Sequence, residues 1–405
     1  LPHFFLAFLA SLGLFVVNYA RIGVRTFIWF FIALILMMIV GLLAAASTNG
    51  DAGDSIRATF NFIYDIFTGV GVFFGLIRMG GQRIKRAFLT VLVVVLLGSA
   101  LEVAGPLKPV SDNVRSIFIR TNKYDLDQRD TENYGGIRPK FFASEPSYLG
   151  VSIAISFYLW FSSLARPRGK HYLQAALLLA LGLYLVRSPV IVFGVFAWAL
   201  TVCVTRRRRG GWKDSFYRFV PPAYAVFATL APPVLLGLVL ASWIPGYMQT
   251  GSFFARMIAP FYIAQNVLTS NPLFGIGLGN DDALNTAAFG AYSATGKLAE
   301  TGVQDWTTLG STSCSATWIT LTSFGICGMV ILALLIRALL KTLKVPVSFA
   351  AVSLVACFTF WLTFGRVNSP VAWATFFAVA AMCKLRLDER TARTKDLVSH
   401  GLTVK

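Results

Sequence analysis

At 405 residues, 56% of them hydrophobic and only 13% charged, the chain has too little polar surface to cover itself in water, and its mean hydropathy of +0.67 places most of it in a bilayer. The net charge of +18 would suggest nucleic acid in a soluble protein; here the basic residues have a topological explanation, given below. His3, His171 and His400 are far apart, and Cys203, Cys314, Cys327, Cys357 and Cys383 form no C-x-x-C pair, which argues against a histidine metal centre, a zinc site and a disulfide framework.

About 20 apolar residues cross a hydrocarbon core of roughly 30 Å, and they do so as helices because lipid offers no partner to a free N–H or C=O. Apolar stretches at 2–19, 26–46, 59–77, 87–104, 147–165, 172–186, 189–205, 219–243, 314–336, 348–364 and 370–383 predict about eleven spans. The sixth and seventh are short and separated only by Arg187-Ser188, as in a tight transmembrane hairpin, with Pro189 suited to a first helical turn. The chain begins with Leu1 rather than Met, so its true N-terminus, and one further helix, are expected ahead of it; no cleavable signal peptide is visible. The expected fold is an all-α integral membrane protein. Its segments are N-terminal spans over 1–104, a first long loop over 105–146, central spans over 147–243, a second long loop over 244–313, C-terminal spans over 314–383 and a basic tail over 384–405.

Orientation follows from Lys and Arg. With the tail in the cytoplasm, two-thirds of the 36 basic residues fall on the inner side, and the outer side is close to neutral. The run Arg206-Arg207-Arg208-Arg209 then reads as a stop-transfer anchor. Both long loops lie outside, where loops of such length act as lids or binding surfaces.

In the first loop, Arg115, Arg120 and Arg129 have enough acidic neighbours to pair on a wet surface. Arg138 follows Gly135-Gly136 and precedes Phe141-Phe142 just above a span, a position that aims a guanidinium at the mouth of the bundle, where it can hold a phosphate through two parallel hydrogen bonds. Glu145, in Glu145-Pro146-Ser147, has two readings: a helix cap favoured by the dipole, or a carboxylate held at the membrane surface as a general base. In the second loop, Arg256 precedes Asn271-Pro272-Leu273-Phe274-Gly275-Ile276-Gly277-Leu278-Gly279-Asn280. That G-x-G-x-G follows no strand, so a tight packed turn competes with a binding loop and a nucleotide site is disfavoured. Arg187 and Arg366 sit in the shortest outer connections and either snorkel to headgroups or join Arg138 and Arg256 at one cavity fit for a lipid-linked diphosphate. Asp65 lies within the third span, where a carboxylate is costly, with Arg57 two turns away as a possible partner.

The stretch Arg138 to Gly150, R-P-K-F-F-A-S-E-P-S-Y-L-G, resembles the first-loop signature of Wzy-type polysaccharide polymerases. Arg256 to Asn280, ending N-P-L-F-G-I-G-L-G-N, resembles the second-loop signature shared by those polymerases and WaaL-type O-antigen ligases, and Trp318 to Gly328 is similar to the helix that follows. The resemblance implies a GT-C-like, metal-independent glycosyltransferase of the bacterial inner membrane, with its active site on the periplasmic side. Donor and acceptor would be oligosaccharides on undecaprenyl diphosphate, serving lipopolysaccharide or exopolysaccharide. It implies catalytic roles for Arg138, Arg256 and Glu145, substrate-binding roles for Arg187, Arg366, Arg120, Asn280 and Tyr148, and no cofactor. Membrane lipids, a chain-length regulator and a flippase are the implied neighbours, and nucleic acid is not. Asp281, Asp282 and Asp305 are alternatives to Glu145 as base. WaaL-type ligases carry a histidine late in the second loop; here that region reads G-S-T-S-C-S-A-T-W around Cys314 and Ser315, which favours the polymerase over the ligase. A transporter or flippase of lipid-linked oligosaccharide is the non-enzymatic alternative, and it would show repeated halves, of which none is evident.

Overall fold

The computed structural model describes residues 9–14, 16–17, 24–48, 50–118, 127, 130–131, 135–164, 167–188, 190–191, 254–298, 309–312, 316–345 and 369–399. Among them the secondary structure is entirely helical. The principal helices are α1 (Val24–Ser47), α2 (Ala52–Val103), α3 (Lys108–Phe118), α4 (Pro146–Ser162), α5 (Gly169–Val186), α6 (Ala259–Ser270), α7 (Asp281–Ala294), α8 (Ala316–Thr342) and α9 (Pro370–Ser399). They divide into two units. One is built from Leu1–Gly75 and Arg207–Lys384, the other from Leu76–Arg206 and Leu385–Lys405.

Among the described residues three helices are long and apolar enough to cross a membrane: Ala52–Val103, Gly169–Val186 and Trp318–Thr342. This fits an α-helical membrane protein, but it is not eleven spans, and a GT-C arrangement is not displayed. The reasons are local. The stretches 59–77 and, but for its last residue, 87–104 fall within Ala52–Val103, on either side of a break at Gly80 (φ 69, ψ 160), so that range is two helices meeting at a kink and not one continuous span. The span expected at 147–165 is a helix of 17 residues buried on nearly every side. The apolar part of α9 ends at Cys383, where charged residues take over. Those expected at 189–205, 219–243 and 348–364 lie outside the described residues, apart from 190–191.

The outward faces carry the membrane signal. On α1, Ile28, Ile32, Ile35, Ile39 and Leu43 are exposed at helical spacing, whereas Ala33, Leu34, Met37, Val40 and Ala44 are buried. On α5 the same holds for Leu173, Leu177, Leu181 and Tyr184. Apolar stripes of this length face lipid more naturally than water.

Inside the first unit, Phe62 of α2 meets Phe324 of α8 and Trp373 of α9 edge-on, with ring centroids 5.7 and 5.4 Å apart. The core of the second unit joins Leu92 and Leu96 of α2 to Leu149, Ile153, Phe157, Trp160 and Phe161 of α4, and to Val186 at the end of α5. Phe157 and Phe161 stack one turn apart on α4, with centroids 5.7 Å apart.

Candidate functional site

In the second unit the first-loop signature is a turn held from three sides. Phe141 (φ 36) and Phe142 (φ 64) are consecutive left-handed residues, a conformation that bulky side chains avoid. Glu102, buried at the end of α2, offsets that cost: its Oε2 accepts from the Phe141 N–H at 2.5 Å and its Oε1 from Ser111 Oγ at 3.3 Å. Ser111 Oγ in turn accepts from the Phe142 N–H at 3.3 Å. Arg115, fully buried on α3, donates through Nε to the Ala143 carbonyl at 2.9 Å and through Nη2 to that of Ser144 at 3.3 Å, while its Nη1 meets Asp112 Oδ1 at 2.9 Å. The pairing expected of Arg115 therefore occurs with a part-exposed Asp112, while the guanidinium itself is buried and fixes the entry to α4.

Arg138 is buried and forks onto a single oxygen of Asp130, with Nε and Nη2 at 3.0 and 2.8 Å from Oδ1. Lys140, also buried, donates to Asp127 Oδ1 at 2.8 Å, and Lys108 donates to Asp127 Oδ2. Burial pushes the Asp127 carboxyl up, but the hydrogen bonds and charges of the two lysines outweigh it and hold the group below the usual carboxylate range. Arg187 ends α5 in the left-handed conformation (φ 50, ψ 41). Its guanidinium lies against Gly136, where a Cβ would stand 3.3 Å from Nη1, so the structure brings Arg187 to the glycine pair that precedes Arg138.

Glu145 is the residue before α4, with Pro146 in the first turn, as the capping reading expects. Its side chain, however, caps no backbone N–H; Oε2 accepts from Ser147 Oγ at 2.7 Å. Tyr148 is exposed on the first turn of the same helix.

In the first unit the G-x-G-x-G segment is built into the break of α8. At Gly325 (φ 58, ψ −165) the helix opens. The carbonyls of Thr322 and Ser323 accept from the N–H groups of Ile276 (3.0 Å) and Gly277 (2.9 Å), and the N–H groups of Ile326 and Cys327 donate to the carbonyls of Pro272 and Leu273, both at 2.9 Å. The loop thus supplies the partners that a broken helix lacks in lipid. Gly275 has φ 67, and a Cβ there would stand 2.2 Å from the Thr322 carbonyl oxygen. Gly275→Ala is expected to cost about 3 kcal/mol, from left-handed strain plus overpacking against backbone. Gly296 (φ 67) has nothing within 4 Å of a built Cβ, so Gly296→Ala is expected to cost only about 1 kcal/mol. Thermal denaturation of the two detergent-purified variants measures the difference; equal midpoints would mean that the α8 contact adds nothing.

Beyond this turn, Ser55 Oγ donates to the Leu278 carbonyl at 2.9 Å. Asn280 caps α7 by accepting from the Ala283 N–H at 3.1 Å, and its Nδ2 donates to Thr48 Oγ1 at 2.8 Å. Asn280 therefore ties the loop to the end of α1 and also lines a cavity of about 780 Å³. Asp51, Asp54 and Arg57 from the start of α2 form one wall, with Asn61 a turn further on. Asn266 and Asn271 come from the end of α6, and Asp281, Asp282 and Thr286 from the first turns of α7. The volume is that of a ligand pocket, and the lining is mostly polar. Among the described residues no group of three or more metal-ligating side chains occurs.

Of the other sequence candidates, Arg120 and Arg366 lie outside the described residues, and so does Asp305. Arg256 belongs to a π-helical turn, Phe254–Ile258, that leads into α6. Arg256 falls in the first unit, and Arg138 and Arg187 in the second. Asp65 is buried and makes no ion pair with Arg57; its Oδ2 has no hydrogen-bond partner among the described residues. Sequence reasoning missed Glu102 and Asp130 as partners of the first-loop signature. It also missed the joining of Asp51 and Asp54 with Asp281 and Asp282, for which the signal was a position just before or within the first turn of a helix.

Compared with protein-family models, with curated proteins and with solved structures, the chain matches none.

Proposed function

We propose that this chain is a membrane-embedded polysaccharide polymerase of the Wzy type. It moves a growing glycan from undecaprenyl diphosphate to the acceptor sugar of another lipid-linked repeat unit, on the periplasmic face of the bacterial inner membrane and without a metal. The observation that carries this reading is the second-loop signature: the segment 271–280 is stitched into the break of α8 and forms a wall of a polar, ligand-sized cavity. In this reading the chain has about eleven spans in a GT-C-like arrangement. Its basic segments lie in the cytoplasm, and both long loops meet the periplasm.

The chemistry requires one bond to form and one to break. An acceptor hydroxyl oxygen attacks the anomeric carbon of the donor, the bond from that carbon to the diphosphate breaks, and the hydroxyl proton passes to a carboxylate. Arg138 and Arg256 each act on the donor diphosphate, on which charge develops as the leaving group departs. Glu145 takes the proton; its carboxylate is held by Ser147 rather than spent on capping the helix, which leaves its other oxygen for an acceptor hydroxyl.

Purified full-length protein supplied with a single lipid-linked repeat unit is expected to give a ladder of product sizes, in the presence of EDTA as well as without it. A single transfer to lipid A core, with no ladder, would mean ligase chemistry. Movement of the lipid across proteoliposome membranes with no new glycosidic bond would mean a flippase.

A further inference from the structure

Helix α3 has its polarity inverted. All three of its charged residues are engaged with the protein: Arg115 is buried, and Lys108 and Asp112 are half-buried and paired with Asp127 and Arg115. Ser111 is buried on the same side. The exposed positions, Pro109, Val110, Asn113, Ser116 and Ile117, hold no charge. Val110, Val114 and Ile117 recur at helical spacing along one stripe, and Val110 and Ile117 are 50% and 65% exposed. A helix that faces water turns its charges outward. Single exposed apolar residues are ordinary, but they do not account for a helix whose polar face is covered and whose apolar face is bare. The place of α3 indicates what lies against that face. Only residues 104–107 separate it from the end of α2, and Ser111 Oγ bonds to Glu102 Oε1 at 3.3 Å, which pins it to the last turn of that helix. It therefore sits at the level where an apolar helix leaves the hydrocarbon. The exposed apolar surface also continues across the junction. Leu97, Leu101 and Val103 are exposed on α2, Ala104 and Pro106 between the helices, and Val110 follows on α3. From Ala87 to Leu107 the one charged residue is Glu102, and it is buried.

We infer that α3 is a membrane-docking helix. It lies along the boundary between headgroups and acyl chains, in the leaflet where α2 ends, and seats Val110, Val114 and Ile117 among the acyl chains. Its inner face grips the first-loop turn: Ser111 accepts from the Phe142 N–H, and Arg115 donates to the carbonyls of Ala143 and Ser144. Seating α3 in the bilayer therefore fixes the height of that turn relative to the headgroups. This docking needs only that the apolar run 87–104 crosses the bilayer, and it is independent of glycosyl transfer.

The test places the photoreactive residue p-benzoylphenylalanine at single positions of the full chain, reconstituted in vesicles of dioleoyl phosphatidylcholine. Irradiation joins it to neighbouring C–H bonds, so lipid contact is read as the mass of a phospholipid added to the peptide. Leu97, exposed on α2, is the reference for acyl contact, and Ser116, on the side of α3 away from the stripe, is the reference for water. Replacement of Val110 or Ile117 is expected to give lipid adducts at the yield found for Leu97 and several-fold above that for Ser116. Yields no higher than at Ser116 would overturn the inference. So would crosslinks to a second copy of the chain in place of lipid, which would make the stripe a protein interface. A second measurement reads the consequence for the turn. Val110→Asp with Ile117→Asp alters no buried side chain, and Val and Asp have similar helix propensity. In the same vesicles this pair is expected to raise amide hydrogen exchange several-fold in α3 and in the turn at 141–144, whereas Val110→Leu with Ile117→Leu leaves exchange unchanged. Equal exchange in the two double variants would mean that the bilayer does not hold the helix, and would also overturn the inference.

Discussion

Arg256→Ala is expected to stop chain elongation while the protein still reaches the membrane in normal amount. The turn that carries Arg256 is fixed by other residues. Phe254 is buried and meets Tyr292 of α7 edge-on at 5.0 Å, and Ala259 and Pro260 are buried at the start of α6. A π-helical turn widens the backbone by one residue at some cost in hydrogen bonding, and such turns concentrate at functional sites. Loss of one preorganised group that stabilises developing charge lowers turnover by about 10²–10³-fold, enough to erase a ladder that depends on repeated transfer. Arg256→Lys keeps the charge but not the bidentate fork and is expected to recover only part of the activity. Gel analysis of lipid-linked products beside an immunoblot of the membrane fraction checks both halves: normal product lengths would remove Arg256 from the mechanism, and absence of the protein would make it a folding residue.

The sequence disclosed the helices better than their interruptions. Val24–Ser47 and Gly169–Val186 lie where apolar runs predicted them, because an apolar run of that length has few other folds open to it. Gly80 and Gly325 break their helices at single residues inside otherwise favourable stretches, and nothing in local periodicity separates them from a glycine that stays helical. The tight-turn reading of G-x-G-x-G agrees with the turn at 272–276, but its partner, the opened backbone of α8, could not be read from the loop itself. Long-range pairing was hidden for the same reason. Glu102 drew no notice as a single acid near the end of the expected span 87–104, yet two hydrogen bonds make it the fastening of the first-loop turn. The cavity draws on the starts of α2 and α7, which are distant in the chain (Thr48 and Asn280, bonded at its edge, are 232 residues apart), and no spacing rule connects them.

Arg138 presents the sharper test, because its burial gives it a structural task that a simple deletion would confound with chemistry. Asp130 is fully buried and accepts twice from the Arg138 guanidinium. Arg138→Ala therefore removes a charge-assisted, twice-bonded partner from a buried carboxylate and is expected to destabilise the second unit by about 3–5 kcal/mol. Loss of elongation in that variant would show nothing about diphosphate binding. Removing both charges together avoids the problem, since apolar residues of similar volume commonly replace a buried ion pair at little cost or with a gain. The double variant Arg138→Met with Asp130→Leu is expected to denature near the wild-type temperature and still to give no ladder. The two readouts then part company: stability follows the pair, and transfer follows the guanidinium alone. A double variant that elongates normally would reduce Arg138 to the partner of Asp130. Donor recognition would then rest on Arg256 and on Arg187, whose guanidinium already lies beside Gly136.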